Sequence, residues 1–136
     1  MKIESMYSED FVITQDEVNA FSEITGDKNP IHIDADYASK TVFKKPIIHG
    51  FFAGSKISKV FGMSFPGEGT IYLSQDMKFL KPMFVENVYT VEFKVMETNI
   101  ERMRLTIETR IFEKSTGINV IIGKALVQNP NLKFEL

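Results

Sequence analysis

The chain contains no cysteine and no tryptophan, and it has only two histidines, His32 and His49. Without cysteine there is no disulfide, no thiolate nucleophile and no cysteine-based zinc or iron–sulfur site. Chemistry that needs an imidazole must use one of those two residues. There is no excess of one charge either: 16 Lys and Arg stand against 18 Asp and Glu, a formal net charge of -2. The charges are spread along the chain, with neither the basic stripe that nucleic acid demands nor an acidic tail. No apolar run approaches the roughly 18 residues of a membrane-spanning helix. Met1–Met6 lacks the apolar stretch of a secretory signal, so a cytoplasmic location is expected.

What is present is apolar and aromatic. Twelve Phe and four Tyr in 136 residues are too much apolar surface to leave in water, so the chain should fold. Its length suits a single domain over residues 1–136. The character of the sequence changes near residue 70. Before it, Phe11-Val12-Ile13 reads as a short first strand, and Thr14-Gln15-Asp16-Glu17 fits a capping box. Val18, Phe21 and Ile24 follow at helical spacing, and Gly26 is placed to end that helix. A short helical turn is expected over Asp34–Ala38. A second helix runs from Phe51 to Phe61, closed by Gly62; it is apolar on most sides and so should be buried inside a wrapped sheet.

After residue 70 the pattern has period two. Ile71, Leu73, Met77 and Phe79 should share one face, as should Tyr89, Val91, Phe93 and Val95. Met103, Leu105, Ile107 and Ile111 make a third set, and Ile118, Val120 and Ile122 begin a fourth. Alternation against a polar outer face predicts an antiparallel sheet with one side packed. The expected class is α+β, a long helix against a curved antiparallel sheet. One helix cannot cover both sides of so apolar a sheet, so a homodimer is expected.

Both histidines lie in the turn-rich stretch between residues 27 and 50. Asp27 and His32 are five positions apart and would diverge by about 140° on a continuous helix. Pro30 argues against such a helix, and a turn through Asn29-Pro30 would let a carboxylate and an imidazole flank one water as an acid–base pair. Asp27 after Gly26 equally fits a cap or Asx-turn residue, and His32 a structural histidine, so spacing alone leaves both readings open. His49-Gly50 opens the buried helix. Its free N–H groups and positive dipole end would attract a carbonyl oxygen gaining negative charge, although Gly50 also suits plain relief of crowding. Gly54, Ser58 and Phe61 continue the Gly50 face. Ser58 equally suits a tight packing contact, and Phe61 a core residue. Lys44-Lys45 reads as a solvated pair or as a contact for ligand phosphates.

The run Phe21-Ser22-Glu23-Ile24-Thr25-Gly26-Asp27-Lys28-Asn29-Pro30-Ile31-His32, with Ala38 beyond it, resembles the hydratase 2 signature of the MaoC-like dehydratases. Pro46-Ile47-Ile48-His49-Gly50, Gly69–Gln75 and Phe79-Leu80-Lys81-Pro82 are also similar to that family. The resemblance implies a hot-dog fold, a homodimer with sites near the subunit interface, and (R)-specific hydration of trans-2-enoyl-CoA thioesters. It implies Asp27 and His32 as the catalytic pair and the Gly50 N–H as donor to the thioester carbonyl. It implies Ser58 as a residue that supports the site; Asn29 and His49 are expected to support it too, and Phe61, on the helix face of Gly50, is expected to cap the acyl pocket and favour short chains. No metal or redox cofactor is implied, and coenzyme A enters as part of the substrate. A dehydratase acting on acyl carrier protein keeps this chemistry with another carrier; Lys44-Lys45 and Lys56 with Lys59 are its candidate docking residues. A hot-dog thioesterase or a non-catalytic acyl-binding subunit would not need the intact Asp27-to-His32 signature.

Overall fold

The computed structural model describes Met1–Glu135. Five strands make one antiparallel sheet in the order β1-β3-β4-β5-β2: β1 (Met6–Phe11), β2 (Ile71–Phe79), β3 (Tyr89–Asn99), β4 (Arg104–Glu113) and β5 (Asn119–Gln128). Three helices, α1 (Gln15–Thr25), α2 (Pro30–Ile33) and α3 (Ala35–Ser39), precede the central α4 (Gly50–Met63). The sheet curls around α4 in the hot-dog arrangement. None of the helices is long and apolar enough to cross a membrane among the described residues.

Local chemistry explains the helix ends. Thr14 Oγ1 accepts the Glu17 N–H at 3.2 Å and Glu17 Oε1 accepts the Thr14 N–H at 2.9 Å, so the capping box forms as expected. Gly26 stops α1 at φ 79°, a left-handed conformation that costs glycine nothing. The core forms where α4 meets the sheet. Ala53, Ile57, Val60 and Phe61 pack on Val91, Phe93 and Val95 of β3 and Leu105, Ile107 and Ile111 of β4, all essentially without exposure.

Several expectations are corrected. The first strand is Met6–Phe11 and shares only Phe11 with the expected triplet, because the pairing to β3 runs from Met6 opposite Lys94 to Phe11 opposite Tyr89. The second helix begins at Gly50 and includes Gly62. It is buried along one stripe only: Phe51 is 72% exposed and Met63 74%. On β2 a bulge between Tyr72 and Ser74 shifts the register, so Tyr72, Gln75, Met77 and Phe79 face inward, and Ile71 and Leu73 drop out of the set. On β5 a second irregularity opposite Ile111 and Phe112 leaves Val120 as the extra residue. The buried set is then Val120, as expected, with Ile121, Ala125 and Val127, while Ile118 stays half exposed. The outer face of the sheet carries Glu92, Lys94, Glu108, Arg110 and Lys124 and needs no cover. Besides scattered residues such as Ile24, Val42 and Met63, exposed apolar side chains lie along the β2 edge, in Ile71, Leu73, Phe79 and Leu80, with Phe51 of α4.

Candidate active site

The stretch from Gly26 to Gly50 is fixed mostly by hydrogen bonds over short sequence distances. Asp27 Oδ1 accepts the Asn29 N–H at 3.3 Å, and Asn29 Oδ1 accepts the Ile31 N–H at 3.3 Å. Asn29 is therefore the N-cap of α2, with Pro30 at the first helical position, where its missing N–H is not needed. This turn and the single turn of α2 bring His32 back beside Asp27. The turn-residue reading and the catalytic reading of Asp27 are thus compatible: the carboxylate that closes the Asx turn also stays exposed to solvent. Gln15 Nε2 donates to the His32 carbonyl at 3.0 Å and fastens α2 to the start of α1.

The two imidazoles stack with centroids 3.8 Å apart and planes 26° from parallel. His32 Nδ1 lies 2.7 Å from the Ile47 carbonyl, which can only accept, so Nδ1 carries the proton and Nε2 is the free nitrogen. His49 is 3% exposed. Its Nε2 sits 3.2 Å from the Asp27 carbonyl and 3.0 Å from Ser22 Oγ. By the same logic Nε2 carries the proton, and the buried Nδ1 has no partner among the described residues. Burial pushes the His49 pKa down, the Asp27 carbonyl opposes this, and the nearby His32 adds to the lowering. Phe21 packs on His49 at 4.8 Å and stacks on Phe52 at 4.8 Å, closing this side of the site.

Asp27, His32 and His49 each offer a donor atom within 4.8 Å of the other two. Three such groups could hold a metal ion or flank a water. Immediately after His49, Gly50 begins α4, and among the described residues no protein group accepts its N–H. Gly50 and His32 line the same cavity of about 450 Å³, whose remaining wall is mainly apolar, including Ile47, Phe79, Pro82 and Met83. A free N–H at a helix N-terminus and an imidazole thus share one largely apolar chamber, and the exposed Asp27 carboxylate lies beside that imidazole. That set can polarise a carbonyl and activate a water beside it.

The other expected residues sit elsewhere. Ser58 lines a second groove between α4 and β2 and does not line the His32 cavity. Phe61 is 1% exposed and packs edge-on against Phe93 at 5.2 Å and Tyr72 at 5.0 Å, behind the groove rather than at its mouth. Lys59 pairs with Glu9 at 2.8 Å and Lys56 lies over the rings of Phe11 and Phe52, so neither belongs to a free basic patch. Lys45 lies over the Phe84 ring at 4.5 Å. The sequence reading missed Ser22, Gln15 and the Ile47 carbonyl, which orient the two histidines. Ser22 had a visible signal: it falls one turn after Val18 on the buried stripe of α1, where a polar side chain needs a partner.

The family model of the MaoC like domain matches residues 4–116. The chain belongs to the MaoC-like family. It is 38% identical over 114 residues to the (R)-specific enoyl-CoA hydratase of Aeromonas caviae, covering 84% of each chain. It is 37% identical over 119 residues to a 3-hydroxybutyryl-CoA dehydratase of Methylorubrum extorquens, covering 87% of this chain and 74% of that one. Among solved structures, the (R)-hydratase of Aeromonas caviae involved in PHA biosynthesis superposes with a TM-score of 0.91 at 33% identity, over 96% of this chain and 98% of that one. The matched span of this MaoC-like chain contains Asp27, His32, His49 and Gly50.

Proposed function

We propose that the chain is an (R)-specific enoyl-CoA hydratase, a hydro-lyase that adds water reversibly and syn to trans-2-enoyl-CoA to give (3R)-3-hydroxyacyl-CoA. The observation that carries this reading is the Asp27 carboxylate beside the His32 ring, with that ring and the unoccupied Gly50 N–H lining one largely apolar chamber. The thioester carbonyl accepts from Gly50 N–H, so negative charge that builds on its oxygen meets the positive end of α4. One water sits between Asp27 and His32 Nε2. As its oxygen bonds to the β-carbon, a proton passes to the pair and the alkene electrons move onto the carbonyl as an enolate. The pair then returns a proton to the α-carbon on the same face, and the carbonyl reforms. Which of the two holds the proton at each instant is a property of the coupled pair. Asn29 and His49 act by holding Asp27 and His32 in place. The catalytic groups are all side chains and backbone of this chain, with coenzyme A as part of the substrate.

A homodimer belongs to the same reading. The β2 edge offers unpaired backbone groups beside exposed Ile71, Leu73 and Leu80, and the chamber opens at Phe51 and Phe79, so a second copy pairing at β2 would cover all of these. The test is hydration of crotonyl-CoA, followed by loss of enoyl thioester absorbance with chiral analysis of the product. Exclusive (3R) product from a dimer in sedimentation velocity is expected. Thioester hydrolysis, (3S) product or no reaction with crotonyl-CoA or longer enoyl-CoA would defeat the proposal. Crotonyl loaded on acyl carrier protein, run in parallel, separates the two carriers.

A further inference from the structure

Beyond the catalytic chamber, the α4–β2 seam holds a feature that the reaction does not use. Gly50, Gly54 and Ser58 lie one turn apart along one face of α4, opposite the inward side chains Phe79, Met77 and Gln75 of β2. The approach is close. A Cβ at Gly50 would stand 2.5 Å from Phe79 Cε1, and one at Gly54 would stand 3.0 Å from Met77 Sδ and 3.2 Å from its Cε. Past Met77 the seam opens into the second groove, about 430 Å³, which Gly54, Ser58, Tyr72 and Gln75 help to line. Phe51 borders both the chamber and this groove, and its ring meets that of Phe79 at 6.1 Å. The side chains of Met77 and Phe79 therefore stand between the two spaces.

We infer that Met77 is the residue that sets acyl chain length, by closing the way from the catalytic chamber into the groove between α4 and β2. The inference rests on the enoyl-CoA hydratase reading above. A thioester held at Gly50 N–H has two arms to place. The chamber side carries Lys81 in its wall and lies beside Lys44 and Lys45, which follow the lining residue Phe43, so it suits the phosphate-bearing carrier. No charged residue lines the groove beyond Met77, so it suits the uncharged acyl tail. A short enoyl group ends before the thioether. A longer tail must move it, and an unbranched side chain with a polarizable sulfur can turn aside at modest cost. Past the thioether the tail meets polar groups: the Tyr72 hydroxyl donates to Gln75 Oε1, and Gln75 Nε2 donates to the buried Thr109 Oγ1 at 2.9 Å. Short chains are favoured twice, by the obstruction and by the polar floor behind it. Phe61, expected to cap the pocket, is separated from the groove by the Tyr72 ring.

The test uses the intact protein and the ratio of kcat/KM for trans-2-octenoyl-CoA to that for crotonyl-CoA. Met77→Ala should raise this ratio tenfold or more, and Met77→Phe should lower it, giving shifts of opposite sign at one position. Thermal unfolding of each variant establishes that folded protein is compared. Gln75→Leu, placed in the Met77→Ala background, should raise the ratio again by removing the polar floor. An unchanged ratio in both Met77 variants, or a ratio that responds to Ile121→Val in the chamber wall and not to Met77, would overturn the assignment while leaving the hydratase reading intact. Absence of hydration with every enoyl-CoA in the wild-type protein would overturn both.

Discussion

The stretch from Gly26 to Gly50 and the strands β3 to β5 hold their shapes by opposite means. The strands are held by burial: Val91, Phe93, Val95, Leu105, Ile107 and Ile111 have at most 1% exposure, and each contributes transfer energy on the order of 1.5–3 kcal/mol. The active stretch buries little besides Ala38, Ile48 and His49. Its geometry comes from chained polar contacts: Asp27 to Asn29, Asn29 to Ile31, His32 to Ile47 and Gln15, His49 to Ser22 and Asp27. Net stabilisation from each such bond is only about 0.5–1.5 kcal/mol, but each bond fixes a direction. One region therefore supplies stability and the other supplies orientation, and substitutions should separate the two.

The largest effects test that separation directly. Asp27→Asn and His32→Ala should each lower kcat/KM for crotonyl-CoA by roughly 10²–10⁴-fold, the usual worth of an acid–base group. Both residues are at least partly exposed, so melting temperature should move little. Phe93→Ala should do the reverse. Phe93 is fully buried and touches Phe61, Phe65 and Tyr7, and its truncation should cost about 3–5 kcal/mol of stability. Turnover per folded molecule, measured well below the melting temperature, should stay close to the wild-type value. A large loss of stability in the Asp27 variant, or a large loss of per-molecule activity in the Phe93 variant, would break the comparison.

An intermediate effect concerns His49, the one side chain of the active stretch that is both buried and titratable. Its folded pKa lies below the ordinary 6.5, with burial as the leading cause. In the window between the folded value and 6.5 the unfolded chain binds the extra proton, so stability rises with pH there. The contribution is complete above 6.5 and is lost as pH falls through 6.5 towards the lower folded value. Melting temperature should accordingly decline between pH 7 and pH 5.5, above the range where ordinary carboxylates titrate. His49→Gln should flatten that decline. It should also reduce kcat more than it raises KM, because it loosens Asp27 and His32 and leaves the cavity wall largely intact. An equally steep decline in the variant would show that another group carries the pH dependence.

How much of this was legible in the sequence follows the same division. Contacts made within a few residues were readable: Thr14 with Glu17, the stop at Gly26, and the turn chemistry of Asp27 and Asn29. The alternation of β3 survived intact, since Tyr89, Val91, Phe93 and Val95 are all buried. Period-two counting failed only in part on β2 and β5: Met77 and Phe79 face inward and Val120 is buried as expected, but an inserted residue, Leu73 or Val120, exchanges the faces on its two sides, so Ile71 and Leu73 leave the inward set and Ile121 takes the place of Ile122. The single turn of α2 was too short to show a period. The links from His49 to Ser22 and from His32 to Ile47 span 27 and 15 residues, and no local pattern records them. The pair Asp27 and His32 could be named from the signature, whereas what orients the pair required the fold.

The smallest expected effect lies where the two modes of support meet, at the start of α1. Thr14 and Glu17 close the capping box, and the adjacent Gln15 reaches across to the His32 carbonyl. Thr14→Ala removes the side-chain acceptor for the Glu17 N–H, a loss that typically costs about 1 kcal/mol. For a domain of this size that corresponds to a melting temperature roughly 4 °C lower. Val18 is fully buried one turn later and holds the helix in place once the first turn frays, so kcat/KM should change less than twofold. Gln15→Ala provides the contrast. The Gln15 amide also donates to Asn19 Oδ1, so its removal touches both the helix and the His32 backbone. Gln15→Ala should leave the melting temperature within about 2 °C. Its kcat should fall severalfold, because α2 loses the bond that fixes His32 against α1. If Thr14→Ala lowers activity as much as Gln15→Ala does, then α1 as a whole, and not the single bond from Gln15, holds His32.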